Sequence, residues 1–331
     1  YVTWIFSVYP AVRSMQIVHG RVTITLLTYY LAGVSVFQCI TGLLNDNFPI
    51  AQELTDKIVF TAQDFYESID RMRCFSIALD PAGVRFSLVL ILIAATICMD
   101  EKVQQSKSRL ILLFMAYLLI SGIGNMVART TSTGMALGIL LLFIKSNVIG
   151  LRIHTHMVKT MSIFSVLLVI FGGVGVALYN TSEYFYSQFH FAFEGFFNLF
   201  EKGEFTTGST QVLQTMWRWP EDTKSWIIGT GLYGGYLYST DIGYCRLILY
   251  SGVVGFTTFA LSFVYYAYFF ARKYPRYLWL FLCFLAMTFI VWSKVSTDIL
   301  LIYAFFFWFT AEESDYINGV SPEIPEQELC A

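Results

Sequence analysis

Charge is what this sequence is short of. Of 331 residues, 21 are Lys or Arg and 23 are Asp or Glu, 13% in all, about half the ~25% of a soluble domain. A soluble fold of this size must turn much of its surface to water, and there is too little polar material to cover it. That excludes a soluble enzyme, a disordered chain and a nucleic-acid binder, and the net charge of −2 gives no global electrostatic signal of a partner. Histidine is scarce as well: His19, His154, His156 and His190 are the only four, and none has a partner at metal-ligand spacing. Cys39, Cys98, Cys245 and Cys283 sit in apolar runs, Cys74 in a polar loop and Cys330 in the tail. This is neither a disulfide framework nor a metal motif, and the thiols read as buried small hydrophobes.

What the sequence has in abundance is apolar length. Hydrophobic residues make up 56% of the chain, and the mean hydropathy is +0.60. A bilayer-spanning helix needs about 20 mostly apolar residues. Val22–Leu44, Val84–Met99, Leu110–Ala128, Thr131–Leu151, Thr160–Tyr179, Leu247–Ala271, Tyr277–Trp292 and Ser296–Ala311 qualify as spans, once the shorter runs extend into their flanks. They are apolar on all sides, unlike the alternating, roughly ten-residue strands of a membrane barrel. Residues Tyr1–Val12 read as the remnant of a further span, not as a signal peptide, which would lead with basic residues. The expected fold is therefore an all-α polytopic membrane protein of about eight transmembrane helices plus an N-terminal remnant.

Basic residues in short loops set the orientation. Arg13, Arg21, Lys102, Lys107, Arg109, Lys145, Arg152, Lys159, Arg272, Lys273 and Arg276 fall on one side, which is read as cytoplasmic. The tail 312–331, with six acids and no base, lies on that side and reads as solvated. Two long segments then face outward, 45–83 and 180–244, the second lying before the last three helices. Loops of that length are uncommon without a function.

The larger outer segment opens with Asn180–Phe200, whose aromatics recur at helical spacing. They suit an amphipathic helix in the membrane interface or a platform for sugar rings. Glycines follow at Gly229, Gly231 and Gly243, in Ile228-Gly-Thr-Gly231 and Asp241-Ile-Gly-Tyr-Cys-Arg246. They allow tight turns and close ligand approach, but they lack the strand–turn–helix setting of a dinucleotide fingerprint. Arg73, Arg85, Arg129, Arg218 and Arg246 all lie in outer segments or at the outer ends of spans. Singly, each could snorkel or pair with an acid such as Asp80, Asp241 or Asp298. As a set, their planar forks suit the oxygens of a phosphate-bearing ligand at the outer boundary. Asp241, at a loop–helix junction, could deprotonate a sugar hydroxyl or cap the helix. Asp80-Pro81 could be a turn or cap. Lys294 and Asp298, four apart, read as an ion pair.

These residues resemble the bacterial O-antigen polymerases, within the wider O-antigen polymerase and ligase group. The likeness covers most of the chain and is strongest at Arg73 through Asp80-Pro81-Ala-Gly83, at Arg129-Thr-Thr-Ser-Thr-Gly134, and at Ile228–Gly231 with Thr240–Arg246 and Gly252-Val-Val-Gly255. Arg218 and Gly229 stand in the Arg-x10-Gly spacing noted for such polymerases. The resemblance implies an enzyme of the bacterial inner membrane working at the periplasmic face. It would transfer a growing glycan from undecaprenyl pyrophosphate to a sugar hydroxyl of a new lipid-linked repeat unit, toward O-antigen, capsule or exopolysaccharide. The five arginines would bind the pyrophosphate, and Asp241 or Asp80 would take the proton. No cofactor or metal is implied. Membrane lipid, a flippase and a chain-length regulator are the implied partners. Thr240-Asp241 stands where ligases usually carry a His-Asn pair, which favours polymerase over ligase. Compared with the family, N-terminal helices are expected to be missing. The alternatives are an O-antigen ligase and a polysaccharide exporter or flippase, against which stands the absence of a clear internal repeat.

Overall fold

A computed structural model describes residues 2–58, 72–75, 77, 79–145, 155–233, 238–297 and 299–319. Arg152, His154, Asp298, Cys330 and the side chain of His156 lie outside the described residues, as do 59–71 of the first outer segment and 320–331 of the tail. Every regular element among the described residues is helical. In order they are α1 (Val2–His19), α2 (Ile24–Asn47), α3 (Pro49–Ile58), α4 (Leu79–Met99), α5 (Glu101–Gln105), α6 (Lys107–Val127), α7 (Thr131–Lys145) and α8 (Thr155–Thr181). Then come α9 (Glu183–Ala192), α10 (Glu194–Lys202), α11 (Gly208–Thr215), α12 (Thr223–Ile228), α13 (Gly243–Lys273), α14 (Leu278–Trp292), α15 (Leu300–Phe307) and α16 (Ala311–Asn318).

Six helices among the described residues are long and apolar enough to cross a membrane: α2, α4, α6, Lys159–Thr181 of α8, α13 and Pro275–Trp292. Of the expected span Thr131–Leu151, α7 is the described part, and residues 146–151 lie outside the described residues. One of the eight expected spans comes out shorter. The expected span Ser296–Ala311 contains only the eight-residue α15. Its Leu300, Ile302, Tyr303, Ala304 and Phe306 are buried. An apolar run that packs inside the protein carries the same hydropathy as one that faces lipid, so the sequence counted it as a span.

α4 is the axis of the bundle, buried along nearly all its length and packed against α2, α6, α7 and α14. Lipid gives helices no hydrophobic reason to associate, so close contact between small residues has to do it. Gly134 of α7 meets Ser87 of α4 backbone to backbone, with no room for a Cβ. Ser87 donates to the Thr130 carbonyl (3.0 Å) and accepts from the Gly134 N–H (3.3 Å). Gly138 leaves space for the Tyr117 ring, whose hydroxyl donates to the Met135 carbonyl. α8 is the opposite case. None of its span is buried, and Val166, Val169, Ile170, Val174 and Val176 are more than half exposed. A helix of that composition keeps such a face only in lipid.

The basic residues gather at one end of the bundle. Arg276 pairs with Glu101 (3.1 Å), Lys102 donates to the Tyr316 hydroxyl (3.0 Å), and the Arg21 guanidinium lies 4.3 Å from the Tyr316 ring centre. This gathering corrects the reading of the acidic tail as solvated, as far as residue 319. α16 docks on the α1–α2 turn and closes with a capping box between Thr310 and Glu313. Glu313 is 3% exposed. It accepts from the Val22 N–H (2.7 Å), the Thr310 N–H (2.8 Å) and Gln16 (3.1 Å). Replacing it by alanine strands two backbone donors. Glu313→Ala is expected to cost about 1–3 kcal/mol and to lower the thermal midpoint in detergent, while Glu312→Ala, at an exposed position, leaves it unchanged.

Candidate functional site

The opposite end of the bundle carries the segment 183–242, here called the arch. Its first part was expected to be one aromatic helix. It is two, α9 and α10, with Phe193 leaving helical geometry between them (φ −116°, ψ 22°). Phe185 and Phe189 pack on the core, and His190 stacks on Phe197 at 4.6 Å. The Tyr184 hydroxyl donates to Asp46 at the end of α2 (2.6 Å), and burial raises its pKa above the ordinary phenol value. Tyr184, Phe185 and Phe189 thus serve to seat the arch on the bundle.

The second anchor is the turn between α6 and α7. The Arg129 guanidinium pairs with Glu194, donates to Ser209 (2.8 Å) and lies 4.5 Å from the Phe191 ring centre. The other oxygen of Glu194 accepts from the Gly208 N–H (2.9 Å). One arginine therefore holds the starts of α10 and α11 against the bundle. Beside it, Asp80 Oδ1 accepts from Lys294 (2.6 Å) and from the Thr130 hydroxyl (2.6 Å), and Lys294 also reaches Thr130 (3.0 Å). The acid that Lys294 pairs with among the described residues is thus Asp80, in the first turn of α4, while Asp298, the expected partner, lies outside the described residues. Both side chains of the pair are about one quarter exposed. Asp80 belongs to an ion pair that closes the α4–α7–α14 junction.

The other site residues divide between two further neighbourhoods. Arg73 lies 3.8 Å from Asp56 of α3, and its carbonyl accepts from Asn45 (3.5 Å). Arg85 is half-buried one turn into α4, past Asp80. Cys74, next to Arg73, is buried, and burial pushes its thiol up to about 12, which suits a packing role.

Arg218, Arg246, Asp241 and the three glycines surround the first half of α13. Here α13 breaks: Gly252 adopts φ 66°, ψ −178°. A helix end leaves its last carbonyls without intrahelical donors. The Leu249 and Tyr250 carbonyls, just before the break, accept from the Thr230 and Gly231 N–H groups, each at 2.9 Å. Gly229 (φ +73°) and Gly252 make this possible. A Cβ on Gly229 would overlap the Tyr250 carbonyl, and one on Gly252 would overlap that of Ile227. Each backbone therefore fills the space the other's missing side chain leaves. Gly243 does the same at the start of α13, where a Cβ would lie 2.6 Å from the Val295 carbonyl oxygen and 2.9 Å from that of Trp292.

Around this interlock the arch builds a small core of its own, with Ile242, Cys245 and Leu249 buried beneath Leu213, Met216 and Tyr238. Arg218 is exposed, and its backbone N–H points to Cys245. Arg246 lies 5.2 Å from the Tyr233 ring centre and donates to the Tyr233 carbonyl (3.4 Å). Asp241 is exposed. It does not cap α13, whose N-cap is Ile242 with no side-chain bond. Asp222, by contrast, caps α12 through Ser225, and those bonds hold its carboxyl below the usual range. The sequence reading missed Glu194, Ser209 and the Asp80–Lys294 pair. It had Gly252 in a motif, but no local signal tells which segment a helix break receives. Among the described residues, no three His, Cys, Asp or Glu side chains form a metal-ligand group.

Two outcomes test this architecture. Gly252→Ala forces a side chain into the Ile227 carbonyl at a positive φ and is expected to cost more than about 2 kcal/mol. Gly173→Ala, with nothing within 4 Å, serves as its control, and thermal unfolding in detergent compares them. In a double-mutant cycle, Asp80→Asn and Lys294→Met are each expected to destabilise, with a coupling of about 1 kcal/mol. No family model, no curated protein and no solved structure matches this chain.

Proposed function

We propose that the chain is a membrane glycosyltransferase of the O-antigen polymerase type, acting on lipid-pyrophosphate-linked glycans at the outer face of the bacterial cytoplasmic membrane. The observation that carries this reading is the start of α13. There an exposed carboxylate, Asp241, precedes Arg246 by little more than one helical turn, with exposed Arg218 on the arch beside Cys245. The arch lies at the end of the bundle away from the basic cluster, which the positive-inside rule makes the outer face.

The chemistry follows from these groups. The hydroxyl oxygen of the acceptor sugar attacks the anomeric carbon of the donor glycan, the bond from that carbon to the pyrophosphate breaks, and undecaprenyl pyrophosphate leaves. Arg218 and Arg246 neutralise charge building on the leaving oxygens. Asp241 accepts the hydroxyl proton. In this scheme Arg129, held by Glu194, positions the arch, and Asp80, held by Lys294 and Thr130, braces the α4–α7–α14 junction. Arg73 and Arg85 stand outside the reacting centre. The donor is already activated, so the reaction needs no cofactor. A flippase would deliver the repeat units, and a chain-length regulator would set when transfer stops.

The test is a polymer ladder made by the full-length gene in a polymerase-deleted strain. Arg246→Ala, Arg218→Ala and Asp241→Asn are each expected to reduce polymer by about 10²–10³-fold, to a single repeat unit, at unchanged protein level. Arg73→Ala is expected to keep the ladder. A full ladder from all three site variants would rule out this site. Polymer that forms but stays on its lipid carrier in a strain lacking the gene would point to a ligase instead.

A further inference from the structure

We infer that residues 216–232 of the arch are seated in the outer headgroup layer of the bilayer, with Trp217, Trp219 and Trp226 as the interfacial anchor. This is independent of the reaction proposed above.

Three observations lead there. The first is height. The backbone at Ile227–Gly231 is locked to Gly252 through the reciprocal glycines and the two backbone bonds. From Val253 to Lys273, α13 continues without another break and rises about 31 Å. That is the thickness of a hydrocarbon core, and the far end carries Arg272 and Lys273, the residues of a headgroup boundary. Gly252 and the segment crossing it therefore lie at the opposite boundary.

The second is surface. Trp217, Trp219 and Trp226 are 43%, 43% and 37% exposed. Their rings form a row, 5.6 Å between the first two and 5.8 Å, nearly parallel, between the second and third. Ile227, Ile228 and Leu232 beside them are half exposed or more. Side chains of this kind stay exposed at a cost in water and at a gain in the interface, where indole favours the polar–apolar boundary.

The third is continuity. Val253 and Val254, directly past the break, are also exposed and belong to the membrane face of α13. Ile227 and Ile228, whose backbone crosses at Gly252, bring exposed apolar side chains to the same height. A sugar platform needs one or two aromatic faces opening to water, whereas here three indoles stand with exposed Ile227, Ile228 and Leu232 on a segment locked to a span. Arg218, between two of the tryptophans in sequence, then stands at the depth of lipid phosphates.

The test uses the full chain, with Cys330→Ser, reconstituted in vesicles of phosphatidylethanolamine and phosphatidylglycerol. The other five cysteines are buried. A nitroxide at Trp226→Cys or Ile228→Cys is expected to show a several-fold higher ratio of oxygen to nickel-chelate accessibility than one at Glu204→Cys, exposed on the arch outside that segment. Equal ratios at all three positions would overturn the inference. Where labelled variants do not fold, intrinsic fluorescence decides. Lipids brominated near the headgroup are expected to quench the unmodified chain, and to quench the Trp217→Phe, Trp219→Phe, Trp226→Phe triple variant by a smaller fraction. Equal quenching in both would overturn it. So would indoles shielded by a soluble oligosaccharide and untouched by bromolipid, which would make the row a glycan platform.

Discussion

A backbone in lipid has to satisfy its own polar groups, and the outer part of this protein depends on how that rule is met at one glycine. α13 stops being helical at Gly252. Unanswered carbonyls there, at the edge of the hydrocarbon, would each cost several kcal/mol. The arch answers two of them with the Thr230 and Gly231 amides. The contact is between main chains, so it fixes position along α13 as well as proximity. Everything attached to the arch near residue 230, and everything on the first half of α13, inherits that placement. This is why Arg218, Arg246 and Asp241 can come from two segments and still border one small core.

The few charges of the sequence are spent in the same spirit. Arg129 and Glu194 neutralise each other where the arch meets the α6–α7 turn, and Lys294 and Asp80 do so where α14 meets α4. Such pairs contribute modestly to net stability, because desolvation offsets much of the attraction. Their effect is to specify register: only one seating of the arch places Ser209 and Gly208 on the same pair of side chains. Glu313 plays that part at the other end, joining α16 to the α1–α2 turn through backbone donors.

The membrane-spanning character was legible in the sequence because it depends on composition over a window of about 20 residues, which a single chain displays in full. The number of spans was not, because hydropathy does not say whether an apolar residue will meet lipid or protein. α15 is the clear instance. Its apolar run is as strong as any span, yet Tyr303 and Phe306 are fully enclosed by aromatic neighbours. The acidic tail misled for a related reason. Six acids suggest solvation on average, while one of them, Glu313, sits at the third position of a capping box whose Thr310 was present in the sequence. The candidate site was legible as residue types at an outer boundary. Its partition was not, since Lys294 and Asp80 are 214 positions apart and no local spacing joins them.

The partition changes what the arginines mean. Five were taken together because all lay near one face. Arg129 now explains itself as an anchor, and Arg73 faces Asp56, leaving Arg218 and Arg246 beside the broken helix. In the reaction proposed, a lipid-linked substrate would keep its chain in hydrocarbon, its pyrophosphate in the headgroup layer and its sugars in water. Groups proposed to meet the pyrophosphate would then have to be held at one depth, on a surface that is otherwise fluid. A loop tethered by side chains alone would wander along the bilayer normal. Two backbone hydrogen bonds to a span, closed by a pair of glycines that admit no other residue, remove that freedom. The break in α13 costs the span some helical regularity and gives the arch a fixed height.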